Sequence, residues 1–327
     1  MNLTRRDFIK ATIAGAASLS AVSLFSGCDR AGTFFTSASD QDVKTLSKAG
    51  FTVDRQSVTI AGLQNEYRLV FLNDLHITIP NEEVREEDMQ TVMDRCEKGH
   101  IDANGTKAHI LWDTIVETLN QLTVDAIVLN GDMLDYFSHA NFACLRAGCE
   151  KLTAPLMYLR SDHDYSDSYN AAFSQELADR AQRLLDSDAD LFSLDLGEVL
   201  LVGISKSTSP LSDSALEELT RLFALKKPIV LANHVPYDSL VDNSLRQASQ
   251  ESWQDLVLLW GYQDTLYQTT DNVKKMLDLL YAADSPVSAV FSGHLHFTND
   301  IMLTETIPQH IFDTAFRGTV GYVTISG

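Results

Sequence analysis

Five apolar, β-rich runs in this chain each end in residues that can hold a metal ion. LVFL (69–72) leads into Asp74-Leu75-His76, and AIVLN (126–130) into Gly131-Asp132-Met133-Leu134-Asp135. LMYLR (156–160) is followed by Ser161-Asp162-His163-Asp164, IVLA (229–232) by Asn233-His234, and SAVFS (288–292) by Gly293-His294-Leu295-His296. Strands that stop at such residues place them at the carboxyl edge of an α/β sheet, where open sheets bind their ligands. Five of the nine histidines fall in these fragments. Each fragment has a bland reading by itself. Asp-x-His is ordinary loop chemistry, Gly-Asp a turn, and paired histidines hydrogen-bonded core residues. Five strand ends in this order argue against all of those readings holding together.

In that order the fragments resemble the calcineurin-like metallophosphoesterases over about residues 57 to 327. The resemblance implies a four-layer α/β/β/α sandwich, two mixed sheets flanked by helices. The residues alone give only mixed α/β, through an early strand–helix alternation and a later run of strands. The resemblance also implies two divalent metal ions. Asp74, His76 and His296 would bind the first, Asp132 would bridge, and His234, His294 and position 162 would complete the second. Oxygen and imidazole donors suit Mn, Fe or Zn alike. The family usually has Asn where this chain has Asp162, and Gly where it has Ser161. A carboxylate there takes one more unit of positive charge from the site, which favours cations over phosphate. A trivalent iron in one position would restore the balance.

By the same resemblance, His163 is the catalytic histidine that protonates the leaving oxygen. Asp135 hydrogen-bonds it and holds it protonated. The nucleophile would be a metal-bridging hydroxide acting on a small phosphomono- or phosphodiester. Arg160 and Tyr237 are candidates for contacting substrate, being near the site in sequence, and Arg317 is a further basic candidate. The aromatics from Trp253 to Tyr267 would either line a pocket for a planar leaving group or pack the connection they belong to. A second reading, carried by Asp162, is an envelope protein that binds metal and phosphate without turnover. A third, an accessory of a redox complex, lacks any iron–sulfur or haem motif.

The first 27 residues read as a signal peptide: Arg5-Arg6-Asp7-Phe8-Ile9-Lys10, then a fifteen-residue uncharged run from Ala11 to Phe25. That run is too short to span a membrane. Its start resembles a twin-arginine export signal, whose machinery carries folded proteins. Leu24-Phe25-Ser26-Gly27-Cys28 resembles a lipoprotein cleavage box, with Cys28 bearing the lipid. This places the protein on the outer face of the cytoplasmic membrane or in the periplasm, anchored through two acyl chains. Residues 28–50 are expected to form a tether and 51–327 the catalytic domain.

Removing the signal takes three basic and one acidic residue from 25 and 45, leaving 22 and 44, a net of −22. That excludes nucleic-acid binding through a basic face. It also leaves bound metals as the source of positive charge for a phosphate. Cys144 and Cys149 could pair, but reduced buried thiols are the expectation. Elsewhere the pattern predicts a hairpin of 57–61 with 67–72, a helix carrying Phe173, Leu177, Ala181 and Leu184, and a capping box at Ser214-x-x-Glu217. Residues 77–105 and the stretch between His234 and Gly293 read as long insertions beside the site.

Overall fold

The computed structural model describes residues 37–166, 168–170, 190–205, 211–267 and 269–327. The signal peptide, Cys28 and the helix expected around Phe173–Leu184 lie outside them. Two mixed sheets form the centre. The first has the order β1 (Thr52–Thr59), β11 (Thr319–Ser326), β2 (Tyr67–Leu72), β3 (Ala126–Asn130), β4 (Leu156–Leu159). The second runs β5 (Leu191–Asp195), β6 (Leu200–Ile204), β7 (Ile229–Asn233), β8 (Val287–Ser292), β10 (Pro308–Ile311), β9 (Asn299–Met302). Strands β2, β3 and β4 are parallel, as are β6, β7, β8 and β10.

The runs that end at the site are apolar on both faces because both faces of their sheets are covered. Leu69 and Phe71 of β2, Val128 of β3, Val230 and Ala232 of β7 and Phe291 of β8 fill the layer between the sheets. Their neighbours Val70, Leu72, Ile127 and Leu129 turn outward onto the helices Ala108–Leu119 and His139–Cys149. Ile229, Leu231 and Val290 meet the helices Asp213–Ala224 and Asp271–Leu280. This is the α/β/β/α layering that the resemblance implies.

The expected hairpin does not form. The C-terminal strand β11 lies between β1 and β2, parallel to the first and antiparallel to the second. The reason is burial. β11 is apolar on both faces and belongs inside a sheet, whereas β1, TVDRQSVT, exposes most of its length and suits an edge. The second half of the expected tether is a helix, Ala38–Lys48. Its Leu46 joins the core under the first sheet, and buried Asp42 accepts hydrogen bonds from Thr123 N (3.0 Å) and Tyr322 Oη (2.9 Å). The helix expected to start in a box at Ser214 is capped by Ser212, whose side chain accepts from Ala215 N. Cys96, Cys144 and Cys149 form no disulfide among the described residues.

His310 of β10 links the two sheets. Its Nε2 lies 2.8 Å from Asp54 Oδ2 on β1, and its Nδ1 lies 2.6 Å from Asp300 Oδ1 on β9. Burial disfavours the charged ring, but the two carboxylates outweigh burial and raise its pKa. A raised value stabilises the fold fully below the ordinary histidine range and loses that contribution as pH climbs through the folded value. Replacing His310 by Gln is expected to cost about 1.5–3 kcal/mol at about pH 6. The gap in melting temperature to the wild type should narrow towards about pH 9. A gap that widens with pH would contradict the bridge.

Candidate metal centre

Four loops leave the carboxyl ends of β2, β3, β7 and β8 and meet at one place. They are fastened in pairs by backbone hydrogen bonds. Asp74 N donates to Gly131 O (3.1 Å), His76 N to Asp132 O (2.9 Å) and Gly293 N to His234 O (2.9 Å). Two contacts join the pairs across the sheets: His294 N to Asp74 Oδ2 (3.0 Å), and His234 Nδ1 to Asn130 O (2.7 Å). In Asp74-Leu75-His76 and His294-Leu295-His296, the middle leucine is buried in the core and the flanking residues are left to face the site.

This arrangement strains the backbone. Asp74 (φ 52°), His76 (49°), Asp132 (52°), His294 (71°) and His296 (59°) are all left-handed. They are half of the ten non-glycine residues with positive φ among the described residues. Aspartate and histidine tolerate this region better than most residues, but each such residue still costs about 1–3 kcal/mol. The glycines beside them leave no alternative. A Cβ on Gly131, itself at φ 92°, would lie 2.5 Å from the His234 ring. One on Gly293 would lie 2.7 Å from Asp74 Oδ2.

Among the described residues, ligand atoms lie within 4.8 Å of one another in three groups: Asp74–His76–His296, Asp132–His234–His294 and, sharing His76, His76–His100–Asp135. The groups are contiguous. Asp74 Oδ1 is 3.3 Å from His296 Nε2, 3.6 Å from His234 Nε2 and 3.8 Å from His76 Nε2. Asp132 Oδ2 is 3.1 Å from His234 Nε2 and 3.9 Å from His76 Nε2. Asp74 Oδ1, Asp132 Oδ1 and His234 Nε2 are buried without a hydrogen-bond partner. Buried polar atoms are rarely left so, and these converge from both sheets. The donors are oxygen and imidazole nitrogen, and His234 gives its other nitrogen to a backbone carbonyl, as ligating histidines do. The residues therefore fit a two-cation site.

Electrostatics agrees. Burial works against ionised Asp74 and Asp132, but the surrounding histidines, His234 foremost, hold both below the usual carboxylate range. Burial likewise opposes charge on His76 and His234; it is outweighed at His76 by Asp135, Asp74 and Asp132 and at His234 by Asp132 and Asp74, which raises both rings to about 10. Burial together with the charge of His234 brings His294 down to about 4.

The other sequence candidates divide. His163 is 36 % exposed, and its Nδ1 donates to the backbone carbonyl of Asp135 (2.7 Å). The Asp135 carboxylate is 3.7 Å away. It is gripped instead by Arg95, through Nε at 2.8 Å and a second, shorter bond from the guanidinium. Asp135 thus positions His163 through its main chain, not its side chain. Asp162 is exposed at the start of the short helix Asp162–Tyr165, its Oδ1 accepting from Ser161 Oγ (3.0 Å). It stands outside all three ligand groups, although its charge is felt by His234 and His294. Arg160 is wholly buried with its guanidinium 4.4 Å from the Tyr165 ring centroid, out of a substrate's reach. Tyr237 is also buried, its hydroxyl 3.9 Å from Met276 Sδ in the core of the second sheet. Arg317 donates to His296 O (2.8 Å) and Asp313 Oδ1 (2.9 Å), which steadies the last ligand loop.

Four residues surround the site without a clear sequence signal. Arg95 and His100 come from the 77–105 insertion, with His100 stacked on His76 at 4.7 Å between ring centroids. Asp164 accepts backbone N–H from Ser161 (2.9 Å), Leu134 (3.0 Å) and Asp132 (3.1 Å), clasping two loops together. Burial and the neighbouring Asp132 charge push it up to about 6. Tyr267 Oη lies 2.6 Å from His294 Nε2. The last position of Ser-Asp-His-Asp and the aromatics of the second insertion are the only hints the sequence offers.

A sequence model of the family described as calcineurin-like phosphoesterase matches residues 67–297. Solved structures with a similar chain path include a dimetal phosphatase from Danio rerio, at 11% identity and TM-score 0.46, covering 77% of this chain and 88% of that one. A purple acid phosphatase from yellow lupin, Lupinus luteus, matches at 15% and 0.44, over 81% of this chain and 45% of its own. Chaetomium thermophilum Vps29 matches at 8% and 0.27, over 76% and 72%. No curated protein matches the sequence.

With both rings raised to about 10, His76 and His234 are expected to carry protons at neutral pH in the metal-free site, and cations would displace them. Loading with Mn²⁺ at about pH 7 should release roughly two protons per chain, and apparent affinity should climb with pH. Calorimetry in buffers of different ionisation enthalpy measures this; uptake without proton release would refute the protonated starting state.

Proposed function

Since the chain belongs to the calcineurin-like phosphoesterase family, we propose that it hydrolyses phosphomono- or phosphodiesters at a two-cation centre. The observation that carries this reading is the convergence, at the edge where two sheets meet, of buried ligand atoms from Asp74, Asp132 and His234 that make no hydrogen bond. Asp74, His76 and His296 would hold one ion, His234 and His294 the other, with Asp132 between them. Mn, Fe or Zn, including one trivalent iron, would suit the donors. Bound cations supply Lewis-acid activation of a water molecule and positive charge for the phosphoryl oxygens.

The protein's own part in the chemistry falls to His163. Its Nδ1–H is committed to the Asp135 carbonyl, so Nε2 is the atom that gives a proton to the leaving oxygen. Arg95 holds Asp135 in place from behind. The exposed Asp162 carboxylate sits at the rim and repels an incoming anion, which is the observation behind a second reading, capture of cations without turnover. Export by the twin-arginine route and anchoring through Cys28 belong to the same proposal and rest on Arg5-Arg6 and the Leu24–Cys28 box. Loss of membrane association in Cys28→Ala would support the anchor.

The deciding experiment supplies Mn²⁺ and a panel of aryl and alkyl phosphoesters. Turnover is expected in the wild type, and Asp132→Ala should fold normally yet lose two-ion stoichiometry and activity. Stoichiometric metal without turnover of any ester would favour the second reading. His163→Ala should keep its metals and lose about 10²–10⁴-fold in rate on alkyl esters, with a smaller loss on activated aryl esters that need less protonation. Equal losses on both would remove His163 from the acid role.

A further inference from the structure

Two proposed ligand rings meet side chains of the second insertion: Trp253 packs edge-on against His296, 5.5 Å between centroids, and Tyr267 makes a polar contact with a ring nitrogen of His294. The His294 main-chain N–H is fixed by Asp74 Oδ2 (3.0 Å), and its Nε2 lies 2.6 Å from Tyr267 Oη. Tyr267 is itself held firmly. Its ring packs against Trp260, 5.2 Å between centroids, and its carbonyl accepts from Thr265 Oγ1 (3.2 Å). The preceding Leu266 N donates to Val257 O (2.9 Å). A neutral imidazole carries one proton and one lone pair. If Nε2–H donates to the phenol oxygen, the lone pair is on Nδ1, and Nδ1 becomes the ligating atom.

Resting on the two-cation reading above, we propose that Tyr267 is a positioning residue that locks His294 as its Nε2–H tautomer and so sets the affinity of the second cation position. The long connection after His234 thereby acts on the second cation position through one hydroxyl. The partner of a ligating ring's second nitrogen fixes both its orientation and its basicity, and removing such a partner typically costs about 10–100-fold in metal affinity. Phenylalanine at this position keeps the ring that packs on Trp260 and removes only the oxygen. The loss therefore separates from any loss of packing.

The test is a Mn²⁺ titration of metal-free wild type and Tyr267→Phe by calorimetry, with thermal melts of both metal-free proteins as a check on folding. Two ions are expected in the wild type. In Tyr267→Phe, one site should weaken about 10–100-fold while the other stays within about twofold, at an unchanged metal-free melting temperature. Two sites of unchanged affinity in Tyr267→Phe would overturn this inference alone. So would equal weakening of both sites, or a drop in the metal-free melting temperature that accounts for the loss. A wild type that binds fewer than two ions would overturn the two-cation reading and this inference with it.

Discussion

Two carboxylates, Asp74 and Asp132, are buried where the sheets meet, and most of the molecule around them answers to that fact. An ionised carboxylate taken out of water costs several kcal/mol unless opposite charge or hydrogen bonds compensate it. Backbone donors supply part of the compensation, as His294 N does for Asp74. The rest comes from imidazoles of both sheets, protonated when the site is metal-free and able to exchange those protons for cations. Both carboxylates follow strands of the first sheet, whereas His234, His294 and His296 follow strands of the second, so without the second sheet the carboxylates would lose most of their compensation.

The strained turns follow from the same demand. Ligand side chains can point at a common centre from parallel strand ends only if the chain reverses sharply after each strand. Left-handed residues accomplish this, and the core leucines between them hold the reversal in place. Strain kept at a site is stable only when its surroundings over-determine it. Here the paired loops, the Asp164 clasp and the bonds from Arg317 do so.

The ligand loops were legible in the sequence because strand ends and chemistry coincide within a few residues of one another. Asp74, His76, Asp132, His234, His294 and His296 all lie within five residues of a strand's last position. What was not legible depends on where the insertions fold. Asp135 was readable as a partner of His163, but its carboxylate is bonded by Arg95 and Thr78, and Arg95 comes from a segment with no periodicity to place it. Tyr237 is three residues past His234, yet there the chain has already turned to bridge with Trp260, taking the ring into the core. Arg160 shows the same limit: a residue just past a strand's end faces either the site or the interior, and only packing decides which. β11 was visible as a strand, but its place between β1 and β2 was not, since adjacency in sequence suggested a hairpin.

One of the contacts that closes the site, His294 N to Asp74 Oδ2, joins residues 220 positions apart. Contacts of such sequence separation form late, after the closure entropy of the intervening chain has been met. Cations that need ligands from both sheets can therefore be gripped only after the sheets have docked, on the native side of the folding barrier. Ligands that act there slow the escape from the native state and leave the rate of reaching it nearly untouched. The metal centre would then act as a latch rather than a nucleus, lengthening the lifetime of the finished fold without guiding its formation.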